Sequence, residues 1–290
     1  MLLPVEFDYM RPATLGEALD LLGVYGSGAR VLAGGTDLVL HMKRGEAAPE
    51  AVVDVSRLPE LRVLAVEEGF LRIGAALTFS VLSSSEKVKL YAPALAEAAA
   101  VVGSPQIRSL ATIGGNVATK SPAGDSLPPL AAQGAEIYLE GAAGSRSVPV
   151  CGFLDGEGLK PGELIREIRV RVTQGGQRGV FVKLGRRNAL AIARLSVALV
   201  AVRSAEGRLD DVRMALGTLG RSPVRVPEAE ALMTRSGPDK AAWLKAAEYA
   251  SDAVARSIPG RRTAPYKMRA VKGIVLEALK RITDGGPHPW

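Results

Sequence analysis

Val31-Leu32-Ala33-Gly34-Gly35-Thr36-Asp37-Leu38 runs a short apolar stretch into a glycine pair and out into a helical pattern. Glycine lets the backbone come close to a ligand. The first turn of the following helix carries N–H groups that suit an anion. Thr36 adds a hydroxyl donor. This arrangement can cradle a pyrophosphate. It is neither of the two common phosphate fingerprints: after Gly26-x-Gly28, Val31 stands where a third glycine is needed, and no Gly-Lys pair occurs anywhere.

A second glycine pair lies some way along, in Thr112-Ile113-Gly114-Gly115-Asn116. Again a hydroxyl residue precedes the pair, and here an amide follows. A single Gly-Gly is most often a tight turn. Two such loops, each with a threonine and a polar partner, are better explained by a dinucleotide gripped from two sides.

Around the first loop, Thr14 to Tyr25 is predicted to be a helix, with Thr14 and Glu17 forming a capping box. Arg30–Ala33 and Ala51–Val55 read as buried strands and Leu38–Arg44 as a helix. The first 57 residues or so thus form an α/β unit. Leu71–Ala75 reads as a strand, Thr78 starts a helix, and Ala92–Val102 is an alanine-rich helix. Ser109–Ala118 reads as irregular. Leu127–Ala132 is a short helix, Ala135–Glu140 and Arg146–Val150 form a hairpin, and Glu163–Val172 is a strand. Gly175-Gly176-Gln177 is the best linker. Beyond it come three strands (Gly179–Arg187, Arg194–Arg203, Arg208–Gly217) and two long helices (Asp239–Ala255, Ala264–Ile282). A domain boundary is therefore expected near residue 176.

The 290 residues are 47% hydrophobic and 23% charged, as in ordinary globular proteins. One cysteine, Cys151, excludes a disulfide framework, a self-contained iron–sulfur cluster and an all-thiolate zinc site. His41 and His288, the two histidines, have no neighbours that suggest a catalytic triad. The net charge of +7 is spread along the chain and aromatics are only 4%, so nucleic-acid binding is not expected. The longest apolar run, Leu190 to Val202, contains Arg194 and is too short to span a bilayer. No targeting segment is visible and the chain reads as cytoplasmic.

Asp125, after Ser121-Pro122-Ala123-Gly124, is read first as an N-cap for the helix at 127–132 and second as a ligand contact. Lys183 in its strand pattern is read first as a solvated side chain. His41 reads as a helix residue near the first loop, and Cys151 as a small core residue.

Taken together, Ala33–Leu38, Gln106-Ile107-Arg108, Thr112–Asn116 and Ser121–Asp125 resemble the FAD-binding medium subunit of the molybdenum hydroxylases, the carbon monoxide dehydrogenase and xanthine dehydrogenase family. The resemblance continues through Gly162–Ile165, Phe181-Val182-Lys183, Ile192–Ala198, Arg213–Gly217 and Tyr266-Lys267, and so covers nearly the whole chain in order. It implies an α+β fold. Residues 1–175 would be a two-lobed FAD-binding domain of the vanillyl-alcohol oxidase (PCMH) type, with lobes of about 1–57 and 58–175. Residues 176–290 would be an α+β C-terminal domain with a three-stranded sheet plus helices.

The resemblance also implies roles. Val31, Leu32, Ala33, Gly34, Gly35, Thr36, Asp37 and Leu38 would hold the FAD pyrophosphate. Thr112, Ile113, Gly114, Gly115 and Asn116 would hold it from the other lobe. Asp125 would lie near the ribose or adenine, and Ile165 and Lys183 fall where the family contacts the flavin. Val102 falls where some relatives place an aromatic residue or histidine over the isoalloxazine. Lys120 departs too, since relatives usually have a small residue there. FAD would bind noncovalently. Molybdopterin and [2Fe-2S] clusters would belong to partners, a large molybdopterin subunit and a small [2Fe-2S] subunit, in a doubled heterotrimer. No side chain of this chain need act as acid or base. Two other readings share the sequence: a stand-alone flavoenzyme with its own substrate pocket, of the enolpyruvylglucosamine reductase type, and an assembly module that has lost FAD.

Overall fold

The computed structural model describes residues 6–156, 158–173, 177–187, 190–204, 208–236 and 239–284. Gly175, Gly176, Asn188 and His288 lie outside them, so the linker is described only from Gln177 onward.

The chain opens with β1 (Asp8–Met10), α1 (Leu15–Tyr25), β2 (Ala29–Leu32), α2 (Leu38–Lys43) and β3 (Ala51–Asp54). The strands form a parallel sheet in the order β1-β3-β2. The expected capping box is present: Thr14 Oγ1 accepts from the Glu17 N–H at 3.2 Å, and Glu17 reaches back to the Ala13 N–H at 2.7 Å. Such a cap contributes about 1 kcal/mol. Leu15, Ala18 and Leu22, at helical spacing, turn inward and pack with Val53 and Val55.

Next come β4 (Leu64–Glu67), β5 (Phe70–Gly74), α3 (Phe79–Ser84), α4 (Glu86–Tyr91), α5 (Pro93–Ala100), α6 (Pro105–Leu110), α7 (Ile113–Thr119), α8 (Leu127–Ala132), β6 (Glu136–Gly141), β7 (Gly144–Pro149), α9 (Val150–Asp155) and β8 (Glu163–Arg171). Their strands form an antiparallel sheet in the order β4-β5-β8-β6-β7. The stretch expected to be irregular is two helices. Gly114 and Gly115 each weaken a helix by about 1 kcal/mol relative to alanine. The Thr112 cap, whose Oγ1 accepts from the Gly115 N–H at 3.2 Å, opposes that cost. The helix ends at Lys120, which takes a left-handed backbone, φ +52°.

The last part is β9 (Gln177–Leu184), β10 (Leu195–Arg203), β11 (Leu209–Gly217), β12 (Val224–Arg225), α10 (Pro227–Ser236), α11 (Lys240–Ser257) and α12 (Ala264–Asp284). The three expected strands are joined by the two-residue β12 in an antiparallel sheet ordered β12-β11-β10-β9. In β10, alternate residues serve two cores. Val197, Leu199 and Ala201 face α10–α12, whereas Ala198 and Val200 join the core of the preceding part. The sheet is covered on both faces and binds the C-terminal part firmly to α5 and α8. Among the described residues no helix is long and apolar enough to cross a membrane.

Candidate functional site

The two glycine loops meet. A Cβ on Gly34 would stand 2.0 Å from the Leu110 carbonyl oxygen and 3.0 Å from the Ala111 Cα, immediately before Thr112. Gly114 is similarly closed, with Ala75 Cβ 2.6 Å from where its own Cβ would be. These glycines therefore permit close packing of chain on chain. Gly35 answers a different need, a left-handed φ of +70°. Gly115 is the least confined: its Cβ would meet only one atom, Thr112 Oγ1, in a tight contact at 3.0 Å.

The loops border a cleft of about 1020 Å³ between the first two sheets, with the C-terminal part closing one end. Every residue expected at the site lines it except Leu32 and Ile113. Leu32 sits at the end of β2, paired with Asp54, and Ile113 is fully buried in the second core.

The first loop offers donors. Among the described residues the N–H groups of Gly34, Gly35, Thr36 and Asp37 have no partner, while the carbonyls of Gly35 and Asp37 serve α2. The second loop does not. Ile113 N–H donates to Leu77 O (3.0 Å), Gly114 N–H to Ala75 O (2.9 Å) and Asn116 N–H to Thr112 O (3.0 Å). What it presents is the bare face of Gly115 and the Asn116 amide, whose Oδ1 accepts from Ser126 Oγ at 2.6 Å.

Asp125 does not cap α8. Ser126 occupies that position and makes no side-chain cap bond. Asp125 is instead buried, 7% exposed, with Oδ2 2.6 Å from Lys183 Nζ and Oδ1 without a partner among the described residues. Burial pushes its carboxyl up to about 6, against the pull of the Lys183 ammonium. Lys183 is correspondingly not solvated: its side chain is 12% exposed and also donates to Val101 O at 3.2 Å. Strand β9 carries it back over the cleft.

Other residues line the cleft that the sequence did not mark as site residues. The turn Lys160-Pro161-Gly162-Glu163 closes one wall, with Gly162 at φ +82°. Its Pro-Gly pair was the available signal. Lys160 and Arg30 line the cleft and form no ion pair with a carboxylate among the described residues, so both favour an anionic ligand. Leu190 and Ile192, 54% and 80% exposed, form an apolar lip. His41 also lines the cleft, with Nδ1 2.6 Å from Glu46 Oε2. Cys151 lies away from it, half-buried against the second core.

Two families match the chain. One, described as FAD binding domain in molybdopterin dehydrogenase, matches residues 5–171. The other, the CO dehydrogenase flavoprotein C-terminal domain, matches residues 180–282. The nicotinate dehydrogenase FAD-subunit of Eubacterium barkeri is 31% identical over 286 residues, 96% of this chain and 97% of the relative. The carbon monoxide dehydrogenase medium chain of Hydrogenophaga pseudoflava is 34% identical over 282 residues, again 96% and 97%. A chain of the solved Cu,Mo-CO dehydrogenase, in its cyanide-inactivated form, superposes with a TM-score of 0.89 at 30% identity. The match covers 99% of this chain and 100% of that one.

Proposed function

The chain belongs to the FAD-binding family of the molybdopterin dehydrogenases, and from that premise we propose that it is the FAD-carrying electron-transfer subunit of a molybdenum hydroxylase complex. One observation carries the reading. Among the described residues the N–H groups of Gly34–Asp37 and the buried Oδ1 of Asp125 have no partner, and together with Gly115 they border a single cleft. Its volume is of the size that cofactor sites have.

These residues fit a dinucleotide. Gly34–Asp37 would donate to the pyrophosphate, and Lys160 and Arg30 would add positive charge. Gly115 would let the ligand approach α7. Asp125 Oδ1 would accept a hydroxyl or N–H donor of the ligand, Lys183 holding the carboxylate in place. Val102 and Ile165 would supply apolar contact. No covalent link is implied. Bound there, FAD supplies the redox chemistry, taking electrons from a [2Fe-2S] subunit and giving them to a terminal acceptor. The chain's own residues bind, orient and shield it.

The partners in this reading are a large molybdopterin subunit and a small [2Fe-2S] subunit, assembled as a doubled heterotrimer in the cytoplasm. The relatives' names, FAD-subunit and medium chain, support membership of a complex. We read residues 1–175 as the cofactor-binding part and 176–290 as a separate C-terminal domain, a division supported by the ranges the two families match.

The test is the visible absorption of the purified chain, with identification of any chromophore released by heat. FAD is expected. A chain that is colourless and takes up no added FAD, alone or with both partner subunits, overturns the reading.

A further inference from the structure

Four stretches of the family resemblance belong to the C-terminal part, and one of them, Phe181-Val182-Lys183, reaches the cleft through Lys183. The other three, Ile192–Ala198, Arg213–Gly217 and Tyr266-Lys267, converge on one residue outside all of them, Thr218. Its φ is +63°, a left-handed backbone that a β-branched residue keeps only when its surroundings over-determine it. Here they do. The Thr218 N–H donates to Pro122 O at 3.1 Å. Its Oγ1 donates to Arg194 O at 2.8 Å, and its carbonyl accepts from Lys267 Nζ at 2.5 Å. Gly217, just before it, is pressed against α8: a Cβ there would stand 2.7 Å from Pro128 Cγ.

Lys267 is half-buried and forms no ion pair among the described residues. Burial, with Arg261 and Arg194 nearby, holds its ammonium below the ordinary lysine range. The fold therefore keeps a cation there against an electrostatic cost, and the Thr218 carbonyl is what it meets.

The far end of this node is the cleft. Pro122 opens the Ser121–Asp125 loop, of which Ser121, Ala123, Gly124 and Asp125 line the cavity. The other end of the same loop is held by Lys183 through Asp125. Both ends are thus tied to the C-terminal part, one directly at the cleft and one through Thr218 and Lys267, neither of which lines it.

We propose that Thr218 and Lys267 are positioning residues that fix the Pro122 end of this loop and so set how tightly the cleft holds a flavin nucleotide. The inference rests on the flavin reading above. It gives the C-terminal part a role in cofactor retention.

The test uses the full chain and its Lys267→Met, Lys267→Arg and Thr218→Gly variants. Glycine accepts a φ of +63° without strain and removes only the hydroxyl bond, so that variant keeps the fold. FAD affinity is read by quenching of flavin fluorescence, and amide exchange is followed at Ser121, Ala123, Gly124 and Asp125 and along α11. Lys267→Met should weaken FAD by up to about ten-fold, the bond's net strength setting the ceiling because it acts on the cleft only through the loop. It should speed exchange in the loop and leave α11 unchanged. Thr218→Gly should shift both in the same direction, and Lys267→Arg should restore them. Unchanged affinity and loop exchange overturn the proposal, as does loosening spread equally over α11. If the wild-type chain takes up no FAD, alone or with both partner subunits, the flavin reading fails separately, and loop exchange in Lys267→Met still decides whether the clamp exists.

Discussion

Gly34 lies against Leu110, two residues before the second glycine loop: a Cβ on Gly34 would stand 2.0 Å from the Leu110 carbonyl oxygen, so no side-chain atom fits between them. The relationship joins the loop after β2 to the end of α6, and both border the cleft through Gly34, Ala111 and Thr112.

Gly34→Ala forces the loops apart, because a Cβ 2.0 Å from backbone oxygen has no flexible neighbour to push aside. A loss of about 3 kcal/mol or more is expected, in the range of severe core substitutions. Urea unfolding followed by circular dichroism checks it. A midpoint equal to that of the wild type would show that the loops are not packed this way.

Gly114 and Gly115 should separate stability from binding. Gly114→Ala meets Ala75 at 2.6 Å and should destabilise the protein. Gly115→Leu points into the cleft, and helix propensity favours leucine over glycine by about 0.5–1 kcal/mol. Its melting temperature without FAD should fall less than that of Gly114→Ala, because only the Thr112 hydroxyl has to give way, while FAD affinity falls sharply. Unchanged affinity in Gly115→Leu would place the nucleotide elsewhere.

Gly35→Val combines a left-handed backbone with a β-branched side chain close to Leu32 and Val39. It should abolish FAD uptake while α10–α12 keep their protection from amide exchange. Normal flavin content in this variant contradicts the assignment of the first loop.

Asp125 makes stability pH-dependent with a definite sign. Its folded carboxyl titrates at about 6, above its ordinary value of 3.8, so between those values the folded protein binds more proton than the unfolded chain. Its contribution therefore declines as pH rises from about 4 to 6 and is constant above that. Two pKa units correspond to about 3 kcal/mol. Asp125→Asn should remove this slope, seen as a wild-type urea midpoint that falls relative to the variant across the window. Parallel curves would show that the carboxyl is not buried as described.

Much of this was legible beforehand because it is local. The capping box of α1 follows from Thr14 and Glu17, and the inward stripe of Leu15, Ala18 and Leu22 follows from spacing. The two loops were legible as glycine pairs, but not the reason for each glycine. Gly34 and Gly114 answer to Leu110 and Ala75, far along the chain, and only Gly115 is left bare toward the cleft. Asp125 was misread as a cap because its real partner, Lys183, lies 58 residues away. α7 was misread because the low helix propensity of Gly-Gly is overridden by the Thr112 cap and by Leu77 and Ala75, which accept its first N–H groups. α10 and β4 are short or weakly patterned and take their form from the elements they cover.

Amide exchange of the full chain with and without saturating FAD decides whether the cleft between the two glycine loops is the FAD site. Exchange should slow at Gly34–Asp37, whose N–H groups gain acceptors, with protection also around Asn116 and Ala123–Asp125. FAD that binds while leaving Gly34–Asp37 unchanged, or that protects only residues away from the cleft, would contradict that assignment.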